Sequence, residues 1–171
     1  MESPPSTFTL FLVFIYCMQT LSLGNSDPTR GDETALESNN QERRTRSAFT
    51  VQYNVRIHPP ANTPIKFPKV IYNEDGDYDC ETGLFTCKAP GLYYFSFQMQ
   101  IYHKRLYVKL KHNFSTVLEW FDQFDGRDED IASGSSLLKL KSGDIVYLEL
   151  LPDHEGLYGN GVFNGFLLYP D

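Results

Sequence analysis

Four histidines, His58, His103, His112 and His154, are the side chains of this sequence best suited to move protons or hold a metal, but they stand far apart along the chain. None has the paired spacing of a metal motif, and the sequence holds no Gly-X-Ser-X-Gly elbow and no glycine-rich phosphate cradle. The histidines read as surface or edge residues and the chain as a non-enzyme. Asp75, Asp77 and Asp79 come closer to a site, at the first, third and fifth positions of a calcium-loop template. The template then fails, because its sixth position is Cys80 instead of glycine and its twelfth is Thr86 instead of glutamate. "DGDYD" therefore reads as a solvated acidic loop. Arg30-Gly31-Asp32 matches an integrin tripeptide, a length at which coincidence is the better reading. "RRTR", Arg43 to Arg46, is a minimal basic protease site, where a cut after Arg46 would free everything that follows. Asn113-Phe114-Ser115 is an N-glycosylation sequon placed where a turn is expected.

Cys80 and Cys87 carry the remaining reactive chemistry. "YDCETGLFTC" reads as a hairpin turning near Glu81-Thr82-Gly83, with Cys80 facing Leu84. Side-chain alternation then sends Cys80 and Cys87 to opposite faces of the ribbon. Cys87 is expected as a buried free thiol and Cys80 as an exposed one able to cross-link chains; a different register would permit an intrachain bridge.

The elements that must position these groups are strands. The chain has 171 residues, 15% of them aromatic, and a net charge of -7, enough for one domain with a substantial core. An acidic chain without clustered Lys and Arg offers nucleic acid no counterion-releasing surface. Phe8 to Tyr16 form an apolar run of the roughly 7–15 residues of a signal core, short of the ~20 that span a bilayer, and cleavage is expected after Gly24. A secreted product without a permanent membrane anchor follows, although the leading segment carries Glu2 and no Lys or Arg. Residues 25–46 are almost devoid of apolar groups and read as a solvated linker. From Ser47 to Asp171 nearly every segment alternates with period two between Gly, Pro, Asn and Asp clusters, which means an all-β sandwich or barrel.

Two strands have more apolar surface than a two-layer sandwich can bury. In 91–102, Tyr93, Phe95, Phe97, Met99 and Ile101 line one face while Tyr94 and Tyr102 lie on the other. In the last strand Phe163, Leu167 and Tyr169 are assigned to the core, leaving Phe166 and Leu168 outside. A sandwich covers one face of each sheet, and with no helix in prospect the simplest cover for Tyr94, Phe166 and Leu168 is another copy of the chain.

Six blocks in order, "SAFTV", "IKFPKVIYNEDGDYD", "TGLFTCKAPGLYYFSF", "ASGSSLLKLKSGDIVYLEL", "GLYGN" and "FNGFLLYPD", resemble the globular domain of complement C1q and its relatives, including the C1q and tumour necrosis factor-related proteins. The resemblance runs from Ser47 to Asp171. It implies a ten-stranded jelly roll that assembles as a trimer. There is no collagen-like Gly-X-Y run, which makes the chain similar to the short, stalkless members, and Asn164 replaces the Ser or Thr usual before Gly165. The family often holds calcium near its trimer axis, and "RDEDIASGS" lies there. Asp130 matches the metal-binding aspartate, but the neighbouring ligand position is Ile131, which has no donor atom; Asp128 and Glu129 read as exposed charge. The expectation is a secreted homotrimer that engages a cell-surface receptor or another extracellular protein. The alternative is an innate pattern-recognition protein of lectin type that binds microbial or apoptotic surfaces.

Overall fold

Alternation of apolar and polar residues is realised as strands throughout. The computed structural model describes residues 46–122 and 129–171, and these hold no α-helix. The expected signal segment with Gly24, residues 25–45 with the Arg-Gly-Asp tripeptide and Arg43 to Thr45, and Asp128 lie outside the described residues. The strands are β1 (Ala48–Tyr53), β2 (Lys69–Tyr72), β3 (Tyr78–Asp79), β4 (Leu84–Thr86), β5 (Gly91–His112), β6 (Ser115–Asp122), β7 (Glu129–Leu140) and β8 (Ile145–Pro170). Residues 91–102 and 106–112 are one element.

β5 and β8 are long enough to serve two layers. The first part of β5 lies between β7 and the last part of β8, with β1 and then β2 beyond, giving the order β2-β1-β8-β5-β7. The second part of β5 lies between β6 and the first part of β8, with β4 and β3 beyond. Counting both long strands twice, the eight elements make ten strand segments, five in each layer, as in a jelly roll. The crossing is made where β5 and β8 bend side by side. His103 takes φ 56°, and a Cβ at Gly156 would stand 2.6 Å from the Lys104 carbonyl oxygen, so only glycine fits there.

The core between the layers is aromatic. Phe49 contacts Phe163 edge-on at 5.0 Å and stacks on Tyr78 at 5.0 Å, while Phe85 meets Phe95 at 5.3 Å. Each such side chain, fully buried, contributes about 1.5–3 kcal/mol, and each well-placed ring pair about 0.5–1.5 kcal/mol beyond that.

Three expectations need correction. The β3–β4 hairpin pairs Asp79, not Cys80, with Leu84, so Cys80 lies inside the turn. The Asp79 carboxylate causes this. It accepts from the Glu81 amide at 2.8 Å and the Thr82 hydroxyl at 2.9 Å, which lengthens the turn to residues 80–83. Cys80 is thereby half-buried at the core edge instead of exposed, and both thiols stay unpaired, with Cys87 buried. Tyr169, expected in the core, is 67% exposed. A bulge causes the change: Tyr93 faces Leu167 but Leu92 faces Tyr169, so Leu168 is an extra residue and alternation resets across it. Finally, Asp77 is not part of a solvated loop but buried, 2.6 Å from the Ser47 hydroxyl that donates to it.

Candidate functional site

The outer face of the β2-β1-β8-β5-β7 layer is formed by the residues that alternate with the core positions. Tyr94 faces Phe166 on β8 and Leu137 on β7, and Phe166 faces Ala48 on β1. The Tyr94 and Phe166 rings are 5.4 Å apart, and both residues are half-buried in the single chain. Leu92 and Tyr169, paired across β5 and β8, extend the patch by one row, and the bulge at Leu168 turns Tyr169 away from the core. Leu137 is 54% exposed. Of the three residues that sequence reasoning grouped, Tyr94 and Phe166 face each other across the β5–β8 pair, whereas Leu168 is the unpaired residue of the bulge. Sequence reasoning missed Leu92, Leu137 and Tyr169, although the Leu137-Leu138 pair, one residue outward and one inward, was the available signal for β7.

Further along this face the side chains become polar. Ser96 and Asn164 face each other, the Asn164 amide donating to Ser96 Oγ at 3.4 Å, so the asparagine in the unusual position is held by its neighbour across the pair. Beyond Gln52, whose amide donates to Asn160 Oδ1 at 2.9 Å, an open recess of about 500 Å³ is lined by residues that include Asn54, Arg56, Gln100, Tyr102 and Tyr158. Tyr102 and Tyr158 stack at 5.0 Å, with His103 against the first ring and His58 against the second. One face of one layer thus has an apolar end and a hydrogen-bonding end.

The other candidate residues lie apart. Asp130 pairs with Ile101 near the start of β7, and its own Oδ1 accepts from the Ile131 amide at 2.7 Å. Ile131 is 59% exposed beside Gln100. Calcium takes about six to eight oxygen ligands, and no group of three His, Cys, Asp or Glu side chains gathers anywhere among the described residues. Within the described residues of one chain, Asp130 brings a single carboxylate, and Ile131 beside it has no side-chain donor atom. Asn113 is exposed in the β5–β6 turn, with φ 46°, followed by Phe114 at φ 68°. Its amide is in use: Nδ2 donates to Asp144 Oδ1 at 2.8 Å and Oδ1 accepts from the Ile145 amide at 2.9 Å. Asp144 also accepts from the Lys141 amide and contacts His112 Nε2 at 3.0 Å. The Lys141 hydrogen bond first, then those from Asn113 and His112, holds the Asp144 carboxyl down at about 2. Burial pushes the Cys87 thiol up, so it is a poor nucleophile. Arg46 is exposed and Ser47 beside it is buried.

The geometry matches known proteins. The C1q domain family matches residues 48–168. The chain is 38% identical over 134 residues to "Complement C1q tumor necrosis factor-related protein 2" of Mus musculus, an alignment covering 75% of this chain and 45% of the relative. It is 36% identical over 133 residues to "Complement C1q tumor necrosis factor-related protein 5" of Rattus norvegicus, covering 74% of this chain and 55% of the relative. The chain thus spans about half the length of the curated relatives it matches. Among solved structures, the globular domain of zebrafish complement 1qA superposes with a TM-score of 0.66 at 30% identity, covering 74% of this chain and 99% of that one. With the ten strand segments in two layers and the six sequence blocks carried on them, the chain belongs to the C1q domain family.

Proposed function

We propose that this chain is a secreted, non-enzymatic C1q-domain protein that assembles as a homotrimer and binds a cell-surface receptor or another extracellular protein. It would carry a leader ending at Gly24, a linker over 25–46, the domain from 47 to 171 and a glycan on Asn113. One observation carries the reading: the outer layer face brings Leu92, Tyr94, Leu137, Phe166 and Tyr169 into one patch, in which Leu137 and Tyr169 are exposed and the other three half-buried in the single chain. Such a patch marks an interaction surface. Three identical copies fixed in one body convert weak single contacts into avidity when the receptor sites are clustered.

The recess with Arg56 and its carboxamides favours a second reading, recognition of glycans on microbial or apoptotic surfaces. Labelled full chain, purified from the medium of expressing cells, separates the two. Saturable binding to intact cells that cross-links to a single membrane protein supports the receptor reading. Binding to glycan or lipopolysaccharide arrays without a cross-linked protein overturns it in favour of the second.

A further inference from the structure

Ser47 is the residue that follows Arg43-Arg44-Thr45-Arg46, and it is the first residue inside the fold. It is 4% exposed, its carbonyl accepts from the Leu167 amide at 2.8 Å, and its hydroxyl donates to Asp77 Oδ2 at 2.6 Å. Asp77 is itself buried, on the loop that leads into β3. Its other oxygen, Oδ1, is buried and receives no hydrogen bond. Lys88 Nζ lies 3.0 Å from Oδ1, yet its hydrogen bonds go to the carbonyls of Asp75 and Gly76. The ammonium is thus an ion-pair partner of Asp77, but Oδ1 accepts no hydrogen bond of good geometry. The pairing of this buried carboxylate is incomplete, and a further donor would improve it.

We propose that cleavage after Arg46 supplies the missing donor: the α-ammonium of Ser47 becomes a second ion-pair partner of Asp77 and latches the start of β1 to the DGDYD loop. Water is the second reactant and a protease specific for basic residues the catalyst. The Arg46 C–Ser47 N bond breaks, the hydroxyl of water goes to the Arg46 acyl carbon and its proton to the Ser47 nitrogen; at neutral pH the new carboxyl gives up its own proton and the amine takes one up, leaving a carboxylate and an ammonium. That nitrogen sits on the carbon next to the one bearing the hydroxyl already bonded to Asp77. A rotation at Ser47, impossible while Arg46 is attached, turns it toward the same carboxylate. Arg46 is exposed whereas Ser47 and Phe49 are buried. The protease therefore takes the chain while the start of β1 is lifted from β8, an opening that needs far less than global unfolding.

The full chain is incubated with an endoprotease that cuts after paired basic residues, the new N-terminus is sequenced, and the melting temperatures of cut and uncut protein are compared in wild type and Asp77→Asn. The expected result is an N-terminus at Ser47 and a melting temperature higher by about 3 °C, a shift of the size one added ion pair gives a domain this long. Asp77→Asn should show no such rise. If that variant does not fold, acetylating the new α-amine of cut wild-type protein takes its place and should cancel the rise. A different N-terminus, an unchanged melting temperature on cutting, or a rise that survives Asp77→Asn or acetylation overturns the proposal.

Discussion

Replacing Phe166 by aspartate tests the proposed assembly at its centre. The ring packs against Tyr94 at 5.4 Å and faces Ala48 across β1, so it is half-buried before any partner arrives. Removing the rest of its exposure on association is worth about 0.8–1.5 kcal/mol per copy, half of what full burial of a large apolar side chain gives. Losing that in each of three copies weakens the trimer by about fifty- to a thousandfold, since every ~1.4 kcal/mol is a factor of ten. The carboxylates add to the loss. Three like charges in a dry interface, without partners, cost several kcal/mol each unless they take up protons. Phe166→Asp should therefore sediment as a monomer or aggregate at micromolar concentration, with wild-type circular dichroism in the monomer. Phe163→Asp is the control: Phe163 is 1% exposed and touches Phe49, Phe67, Tyr78 and Phe95, so a charge there should prevent folding. Wild-type full chain that sediments as a folded monomer at micromolar concentration, or a Phe166→Asp trimer, would refute the reasoning.

Three further outcomes are expected. In native protein Cys87 should resist iodoacetamide while Cys80 reacts slowly, and both should be alkylated after denaturation without reductant; a Cys80–Cys87 bridge in the peptide map would contradict the longer turn. Asp144 has its folded pKa lowered to about 2 from an ordinary 3.8, so its stabilising effect is complete above pH ~4 and is lost as the pH falls toward 2; Asn113→Ala removes one of its donors, and the urea midpoint followed from pH 7 to 2 should show a weaker acid dependence than wild type. A Cβ at Gly134 would stand 2.2 Å from Trp120 Cε2, so Gly134→Ala should cost about 1–3 kcal/mol by overpacking and shift the emission of this sole tryptophan; an unchanged denaturation midpoint and spectrum would show that the indole has somewhere else to go.

Alternation made the two-layer architecture and most of the core legible, because Phe49, Val51 and Tyr53, and Tyr93, Phe95, Phe97, Met99 and Ile101, are all buried at every second position. The same rule failed at Leu168, where one inserted residue moved Tyr169 from the core to the outer face. No local residue type announces that bulge. The β3–β4 register failed for a comparable reason, since the Asp79 carboxylate organises a turn one residue longer, on its N-terminal side, than the Gly83 signal suggests. Asp77 was misjudged because its partners, Ser47 and Lys88, are 30 and 11 positions away, and only the fold brings them to it. The outer patch was half visible. Tyr94 and Phe166 stand out as aromatics on the wrong face of strands already assigned, whereas Leu137 needs the pairing of β7 with β5 before its side is known.

The placement of the first and last strands gives the domain a polarity. Ser47 and Leu167 are bonded to one another, and the Asp171 amide reaches the Pro90 carbonyl, so the chain enters and leaves at the same end of its outer layer. Tyr53, at the far end of β1, faces Gly161, about 20 Å away at the usual rise of a strand, on the side of the Arg56 recess. A handle joined before Ser47 or after Asp171 would hold the molecule by its apolar rim and leave Arg56, Tyr102 and Tyr158 pointing away from the support. Immobilisation through either terminus should therefore preserve whatever the recess end recognises, while attachment through Lys104 or Arg105, at the crossing beside it, should mask it.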